Sequence, residues 1–464
     1  MLFAKGEILL KQYTVTVSHL PFTFYPDPVG GTEVYVRSLI ENLGLLGIRS
    51  VVVAPGSVAA SYNWRGIEVH RYSVNADLSK DEMYGRGDRL ATETCLRILD
   101  KVKPDLVHVH AFTSGVSLGI VEELKARGVP VVFTYHTPTV SCMRGDLLKF
   151  GRTVCDGRLN LNACSVCTLH GHGLPRLLAS IYAGTPIWIL RPLENLLPSR
   201  RLRLLARWKR LIKIRHDAVR KLFGLVDHTV VVCEWTAELL KQNGLLSAHS
   251  SIIRHGVPQQ ETSELFRLRE VPSKFTDMAP LKLLYLGRIS PEKGIDRVIA
   301  AMADLNAPFE LDIYGMSDPR DEYATELKAI AARCQRVKFR SPVHADEVTS
   351  LMRSYHALMV PSVCLETGPL VVLEAFHAGL PVLGSALGGI MEWVRDGVDG
   401  LLVNPARDEW LAVVLRILED PDLLRSLQEG VQRPPTFVEI ARRHATIYHE
   451  LFSNEAAVLP TEAQ

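Results

Sequence analysis

The chain has 464 residues, of which 47% are hydrophobic and 22% are charged. Because one hydrophobic core rarely extends beyond about 250–300 residues, this length predicts two domains, and the composition excludes a disordered, collagen-like or coiled-coil chain. Lys and Arg number 53 against 51 Asp and Glu, so the overall charge gives no sign of nucleic-acid binding.

Neither of two apolar regions has the features of a membrane span or a signal peptide. The uncharged stretch from Leu177 to Leu190 has 14 residues, whereas a spanning helix needs about 20. Near the start, Lys5, Glu7 and Lys11 interrupt the apolar run that a signal peptide requires. We therefore expect a cytoplasmic protein whose thiols are reduced.

Strands and helices alternate through the first half of the sequence. A strand at 13–18 leads through a glycine-rich turn at 26–31 to a helical pattern at 32–46. Further strands are predicted at 50–54, 106–110 and 129–135, with helices at 89–101 and 116–127. This alternation predicts a parallel sheet covered by helices on both faces.

The same alternation returns after residue 280. Strands are predicted at 282–286, 309–314, 337–340, 357–361 and 382–384, with helices at 295–304 and 321–333 among them. The predicted domains are 1–257, a polar and proline-rich linker at 258–280, a second domain at 281–436, and a C-terminal helix and tail at 437–464. Ligands of parallel sheets lie beyond the carboxyl ends of the strands, so a ligand is expected between the domains.

Two motifs of the second domain carry charge. Arg288 and Lys293 lie in a loop between a predicted strand and a helix, where cations and backbone N–H groups together suit a diphosphate. Taken alone, the loop fits solvated surface cations equally well. Glu366 and Glu374 are eight residues apart across a predicted helix start, which suits a hydroxyl-rich ligand, although a helix cap and a buried glutamate are the alternative.

These motifs resemble the family-4 glycosyltransferases, which are retaining nucleotide-sugar enzymes with the GT-B fold. The resemblance also rests on Gly-Gly-Thr-Glu at 30–33, His-Thr-Pro at 136–138 and Glu-Ala-Phe-His-Ala-Gly at 374–379, and it spans most of residues 13–405. It implies an α/β fold of two Rossmann-like domains that face each other across a cleft.

The resemblance implies the residues of the reaction centre. Arg288 and Lys293 would bind the donor diphosphate and neutralise the leaving nucleotide. Glu366 would contact the transferred sugar, and His136 would touch a sugar hydroxyl. No covalent nucleophile is assigned, and no metal is needed for catalysis.

The resemblance also implies how the rest of the donor is held. Glu374 would accept hydrogen bonds from the ribose, and Gly31 would let the backbone approach the phosphates. The backbone around Gly368, Pro369 and Leu370 would help to hold sugar and phosphate. The implied donor is a UDP- or GDP-sugar, and the implied acceptor is a glycan or lipid-linked saccharide in cell-surface polysaccharide or glycolipid synthesis.

Two other functions fit parts of the same pattern. A GT-B-type nucleotide-sugar epimerase shares the fold, and a zinc-stabilised scaffold protein would retain the donor site only as a vestige. The intact charged residues and their spacing favour the transferase.

A cysteine-rich insert at about 139–175 lies outside the general family pattern. Half of the eight cysteines fall within 26 residues of it, at Cys142, Cys155, Cys164 and Cys167. A terminal Cys-x-x-Cys with two further thiols predicts a structural zinc site. An iron–sulfur cluster and ordinary reduced cysteines are the alternatives.

The near-neutral total charge conceals a strongly basic segment. Between Arg200 and Lys221 there are ten Lys or Arg and one acid, Asp217, with apolar residues at helical spacing. Such a helix predicts either peripheral contact with an anionic membrane at its inner face or packing on its own domain with a solvated basic face. Because no aromatic residues are interleaved with the charges as a stacking platform, we expect no nucleic acid.

Overall fold

Two parallel sheets with helices on both faces make up the computed structural model, which describes residues 15–27, 30–196, 198–258, 269–303, 305–315, 321–344 and 347–456. The predicted fold class is therefore confirmed. Residues 259–268 of the predicted linker lie outside the described residues, as do 1–14 and 457–464 of the terminal segments.

Ten strands lie among the described residues of the N-terminal half. They are β1 (Val15–Leu20), β2 (Ile48–Gly56), β3 (Ala60–Trp64), β4 (Ile67–Ser73), β5 (Leu106–Val109), β6 (Val131–Tyr135), β7 (Leu148–Lys149), β8 (Thr153–Val154), β9 (His228–Val231) and β10 (Ser250–Ile252). Eight of them form one sheet in the order β10-β9-β6-β5-β1-β2-β4-β3, which is parallel except for β3 against β4. Strands β7 and β8 form a separate antiparallel hairpin.

The helices of this half are α1 (Gly31–Leu45), α2 (Lys80–Tyr84), α3 (Arg89–Val102), α4 (Leu118–Ala126), α5 (Leu161–Gly171), α6 (Arg176–Gly184), α7 (Ile187–Leu196), α8 (Arg200–Leu225) and α9 (Glu234–Gln242). A 3₁₀ turn, Pro138–Val140, precedes the cysteine-rich insert. Every residue of β5 and β6 is buried, which explains why these strands read as continuous apolar runs and not as alternating patterns.

The C-terminal half has a smaller sheet of the same kind. Its strands are β11 (Leu281–Leu286), β12 (Phe309–Tyr314), β13 (Val337–Arg340), β14 (Ala357–Val360), β15 (Val382–Ser385) and β16 (Gly400–Val403), all parallel, in the order β13-β12-β11-β14-β15-β16. Its helices are α10 (Ile295–Met302), α11 (Glu322–Ala331), α12 (Val348–Met352), α13 (Leu370–His377), α14 (Gly388–Trp393), α15 (Arg407–Glu419) and α16 (Pro421–Gly430). A 3₁₀ turn, Pro291–Lys293, follows β11.

The last helix, α17 (Phe437–Ala456), returns to the N-terminal half. Its Ile440 and Tyr448 are buried in the same core as Tyr35 of α1. The sequence left the position of this helix open, and the structure places it as part of the first core.

The basic segment forms α8, and most of its apolar side chains pack on the domain, although Leu202 near its start is exposed. Trp208, Leu211 and Ile212 are buried, so they are not available to a lipid surface. Some of the basic side chains form ion pairs. Arg210 donates hydrogen bonds to both Glu194 and Asp81, and Arg207 donates to Glu194. The structure therefore has the second of the two predicted arrangements, a helix packed on its own domain.

Among the helices of the described ranges, none has both the length and the apolar character needed to cross a bilayer.

Candidate active site

The charged motifs of the C-terminal half meet because β11 and β14 are neighbours in the sheet. The 3₁₀ turn that ends at Lys293 follows β11, and the loop that carries Glu366 follows β14. Loops at the carboxyl ends of adjacent parallel strands lie side by side, which brings two residues 73 positions apart into contact.

Lys293 and Glu366 form a close ion pair. The Lys293 Nζ lies 2.5 Å from Glu366 Oε1, and the hydroxyl of Ser362 donates to the same oxygen at 2.6 Å. The two charged side chains are only 25% and 15% exposed. Each charge is therefore compensated where it is largely removed from water.

The pair keeps both groups ionised. Burial by itself would raise the pKa of Glu366, but the charge and hydrogen bond of Lys293, with the hydroxyl of Ser362, lower it overall. Burial would likewise lower the pKa of Lys293, yet Glu366 raises it. A carboxylate beside an ammonium group is the state expected near neutral pH.

Arg288 and Glu374, the other two charged residues of the motifs, differ in their exposure to water. The Arg288 guanidinium is 71% exposed, lies 3.6 Å from Glu292 and acts electrostatically on both Lys293 and Glu366. Glu374 lies one turn after Leu370 on α13, and burial raises the pKa of its carboxyl to about 6. Arg288 is thus an exposed cation, whereas Glu374 is a largely buried carboxyl with a raised pKa.

Two glycines allow α14 to pack against the backbone of Glu366. The Gly389 N–H donates to the Glu366 carbonyl at 2.7 Å, and Cβ atoms added at Gly388 and Gly389 would lie 2.9 and 2.8 Å from backbone atoms of Glu366. Trp235 of the N-terminal half donates its indole N–H to the same carbonyl at 2.8 Å. The position of Glu366 is therefore fixed by both halves.

The N-terminal half meets the loop before α13 at several points. The hydroxyl of Thr367 donates to the carbonyl of His136 at 2.5 Å. A Cβ built on Gly31, the first residue of α1, would lie 3.4 Å from Leu370, the first residue of α13. The two helices thus begin close together, and both direct backbone N–H groups into one region.

His255, which the sequence did not single out, also lies at this meeting point. A Cβ on Gly368 would lie 2.0 Å from its Nδ1, so only glycine fits there. The ring of His255 is parallel to that of His136, with 6.1 Å between centroids. Pro369, which precedes α13, is buried beside this contact.

A row of histidines leads from His136 into the N-terminal core. His136 Nε2 lies 3.1 Å from His110 Nδ1, His110 Nε2 lies 3.1 Å from His19 Nδ1, and His19 Nε2 lies 3.3 Å from the hydroxyl of Ser50. Burial, reinforced by neighbouring histidines, lowers the pKa of all three rings, to about 3 for His19. The row is therefore neutral at physiological pH.

The neutral row can be ordered in only two ways. A neutral imidazole has one N–H and one acceptor nitrogen, so every bond in the row must run in the same direction. His136 Nδ1, which is buried and has no partner among the described residues, is then either a donor or an acceptor according to the direction of the row. The tautomer of His136 is thus coupled to those of His110 and His19.

Three histidines of this core also form a compact cluster. Among the described residues, His19, His108 and His110 are the group of potential metal ligands whose donor atoms all lie within 4.8 Å of one another. Every ring nitrogen of these residues already has a hydrogen-bond partner, including Tyr448 and Thr134 for His108. The cluster is satisfied as a hydrogen-bonded network without an ion.

A usable sequence signal for the row exists. His19 lies on β1, His110 directly follows β5, and His136 directly follows β6, and these strands are adjacent in the sheet. Histidines at the carboxyl ends of neighbouring parallel strands must lie close together. The sequence identified only His136 because the strand order was not known.

The four predicted metal-ligating cysteines line one cavity of about 420 Å³. Cys142 follows the 3₁₀ turn, Cys155 follows β8, and Cys164 and Cys167 lie one turn apart on α5. All are free thiols, and the N–H of Phe150 donates to Cys167 Sγ at 3.2 Å. Burial, and then the nearby Cys142, raise the pKa of Cys164 to about 12. The thiols converge on one space but do not form a compact group of the kind found at His19, His108 and His110.

Comparison with models of protein families shows which family the chain belongs to. The family model described as Glycosyltransferase Family 4 matches residues 29–261, which is half of the chain. The chain belongs to Glycosyltransferase Family 4. A second model, described as Glycosyl transferases group 1, matches residues 268–433 of this family-4 chain. The resemblance predicted from the motifs is thereby confirmed.

Curated relatives agree with the family. An uncharacterised glycosyltransferase of Methanocaldococcus jannaschii is 31% identical over 175 residues, which cover 36% of this chain and 44% of that protein. A D-inositol 3-phosphate glycosyltransferase of Salinispora arenicola is 33% identical, but over only 36% of its own length. A D-inositol 3-phosphate glycosyltransferase of an Arthrobacter species is 25% identical to this chain. The match covers 84% of this chain and 82% of that enzyme. The chain thus spans less than half the length of the first two relatives.

Solved structures share the fold of this family-4 chain. Sucrose-phosphate synthase of Thermosynechococcus elongatus matches 95% of the chain and 100% of its own, with a TM-score of 0.63 and 18% identity. HepE of Anabaena, solved with UDP and glucose, matches 96% of this chain and 100% of its own length. The TM-score is 0.57 and the sequence identity is 16%. At these identities the likeness concerns the fold, which is the two-domain GT-B architecture.

Proposed function

We propose that the protein is a retaining glycosyltransferase that moves a sugar from a nucleotide-sugar donor to a glycan or lipid-linked saccharide. The observation that carries this proposal is the Lys293–Glu366 pair beside the first turn of α13. It supplies a cation, a carboxylate and free backbone N–H groups in one place, which are the groups that a sugar diphosphate requires.

The cationic groups would act on the leaving nucleotide. As the bond between sugar and phosphate breaks, negative charge grows on the diphosphate, and Lys293 and Arg288 would stabilise it together with the N–H groups of α13. Because Lys293 is already ionised and held by Glu366, it needs little reorganisation when charge develops.

The carboxylate and the histidine would act on the sugar. Glu366 is tied to Lys293 and Ser362, so it is suited to orient hydroxyl groups and poorly suited to attack the anomeric carbon. His136 offers one buried nitrogen that has no partner in the described part of the chain, and a sugar hydroxyl would pair with it. Retention of configuration would then proceed without a covalent enzyme intermediate.

The donor is proposed to be a UDP- or GDP-sugar, a class supported by the nucleotide in the HepE structure. For the acceptor we propose a glycan or lipid-linked saccharide used in cell-surface polysaccharide or glycolipid synthesis, made in the cytoplasm at the inner face of the membrane. The names of the curated relatives make D-inositol 3-phosphate the acceptor to test against it.

Release of nucleotide from a panel of UDP-, GDP- and ADP-sugars tests the proposal. A transferase gives release that rises with acceptor and falls to background in Glu366→Ala. Conversion of the donor to its epimer without release would indicate the epimerase. No release of nucleotide from any donor of the panel would indicate the scaffold protein. A product with inverted anomeric configuration would overturn the retaining mechanism.

We also propose that the cysteine cavity holds a structural zinc ion. Four thiols, which are soft ligands, line one space, and a backbone N–H already points at one sulfur. Metal analysis of the protein purified without chelators should find one zinc per chain, lost in Cys164→Ser and retained in the control Cys334→Ser, a cysteine outside the cavity. Bound iron would indicate the iron–sulfur alternative, and absence of both metals would exclude the site.

A further inference from the structure

Exposed apolar side chains are concentrated in one segment between the cysteine cavity and α8. Of the 16 large hydrophobic residues that are exposed within the described ranges, seven lie between 177 and 202: Leu177, Leu178, Ile181, Trp188, Ile189, Leu196 and Leu202. Leu177 is 74% exposed and Trp188 is 75% exposed. A concentration of this kind is typical of a surface that binds another protein, a ligand or a membrane.

The exposure results from the orientation of well-packed helices. On α6, Ala179 and Ala183 are buried one turn apart, and on α7, Leu190 and Glu194 are buried in the same way. The opposite faces of both helices therefore point outward, since residues three and four apart share a face.

Hydrogen bonds fix this pair of helices to α8. The Tyr182 hydroxyl donates to the Ala206 carbonyl at 2.8 Å, and Lys209 Nζ donates to the carbonyls of Ala183 and Thr185 at 2.6 and 2.8 Å. Glu194 of α7 bonds to Arg207 and Arg210 of α8, so both helices that carry the exposed apolar side chains are attached to the domain. We call the outward faces of α6 and α7, with Leu202, the apolar platform.

Positive charge accompanies the apolar platform. Arg176, Arg191 and Arg203 are exposed on it or beside it. Between residues 157 and 216 the sequence contains one carboxylate, Glu194, and its side chain is buried and paired with Arg207 and Arg210. The surface therefore combines apolar side chains with cations and has no exposed acid within this segment.

We propose that the apolar platform docks the protein on an anionic lipid surface. A second copy of the chain fits less well, because a symmetric dimer would bury this patch of both copies together, and the segment offers no exposed acid to pair with its arginines. An anionic bilayer accepts the leucines and Trp188 among its acyl chains and pairs the arginines with its headgroups. The membrane contact predicted from α8 would then be made by the helices that precede it.

Flotation with vesicles tests this proposal independently of any enzymatic activity. The 464-residue chain should float with vesicles in which about a third of the lipid is phosphatidylglycerol, and not with pure phosphatidylcholine. The variant Leu177→Ser/Ile181→Ser/Trp188→Ser should reduce the partition coefficient at least about tenfold. The matched control Leu45→Ser/Leu90→Ser/Met278→Ser changes three other exposed apolar residues and should float normally.

Two further measurements separate the outcomes. Melting temperatures of both triple variants close to that of the wild type would show that folding is retained. The variant Arg191→Gln/Arg203→Gln should weaken flotation and reduce its sensitivity to salt. Failure of the wild type to float, or equal flotation of both triple variants, would overturn the proposal. A wild-type dimer that the first triple variant converts to monomer would also overturn it, in favour of a second copy as the occupant.

Discussion

The loops after β11 and β14 bring a lysine and a glutamate within 2.5 Å, whereas the ends of β1, β5 and β6 bring together neutral histidines. Both arrangements come from the same rule, because adjacent parallel strands end at the same edge of a sheet. In the C-terminal half, opposite charges compensate each other. In the N-terminal half, burial removes charge and leaves a directed row of hydrogen bonds. The candidate site therefore combines an ionic half with a neutral half.

Among the substitutions that test this comparison, removal of Lys293 should lower activity the most. Lys293→Ala takes away the proposed stabilisation of the diphosphate and leaves Glu366 without its cation, so kcat for sugar transfer should fall by about 10²–10³. Steady-state kinetics with a saturating acceptor would measure it. Lys282→Ala removes a lysine whose Nζ lies 3.9 Å from Glu310 and should leave kcat unchanged. A loss of less than about threefold in Lys293→Ala would argue that the ionic half is not used.

The contact between the halves can be broken at one glycine. Gly368→Ala would place a Cβ against the ring of His255 and push the two halves apart, so activity should fall about tenfold and the melting temperature should drop. His255→Ala, added to Gly368→Ala, makes room for the methyl group and should restore most of the melting temperature. If the second substitution restores nothing, the effect does not come from this contact.

The neutral half can be tested with a double-mutant cycle. His110→Phe keeps an aromatic ring in the core but removes both hydrogen bonds of the row, so kcat should fall about tenfold with little change in the donor KM. If His110 acts through His136, the variant His110→Phe/His136→Ala should be no slower than His136→Ala alone. Additive losses would show that His110 acts by another route. His108→Gln, in the same core but off the row, is the control.

The smallest expected effect concerns pH. Burial raises the pKa of Glu374 to about 6 from its ordinary value of 4.5, so the folded protein binds a proton more tightly than the unfolded chain between these values. The contribution of Glu374 to stability is therefore full below pH 4.5 and is lost as the pH rises through about 6. Protonation would also weaken its bonds to the ribose, so the donor KM should rise a few-fold as pH falls from 7 to 5. Glu374→Gln should flatten both profiles.

Much of the framework was predictable from the sequence. The strands at 309–314 and 337–340 were predicted with the bounds that the structure shows, because each is a short segment that contains β-branched and aromatic residues. The hairpin of β3 and β4 was missed, since β3 is an exposed edge strand without an apolar run. Helices α15 and α16 were also not predicted.

For the candidate site, the sequence predicted the charged residues better than the neutral ones. Lys293 and Glu366 lie in motifs whose residues are close in sequence and carry their own chemical signal. His255 and His19 have no such motif, and their positions depend on which strands are neighbours. In the same way, the helical period of α8 predicted an apolar face but could not show that this face is buried, leaving α6 and α7 exposed.

The path of α17 has a consequence for how the two halves can move. Val257 leaves the N-terminal half beside the residues that bring the chain back, and its backbone exchanges hydrogen bonds with Pro435 and Phe437 at 2.9 Å each. The two places where the chain passes between the halves thus lie side by side, and any rotation of one half against the other would occur about this point. A fragment cut at residue 258 would lose the helix that covers Tyr35 and His108, so the N-terminal half cannot be separated from the end of the chain without opening its core.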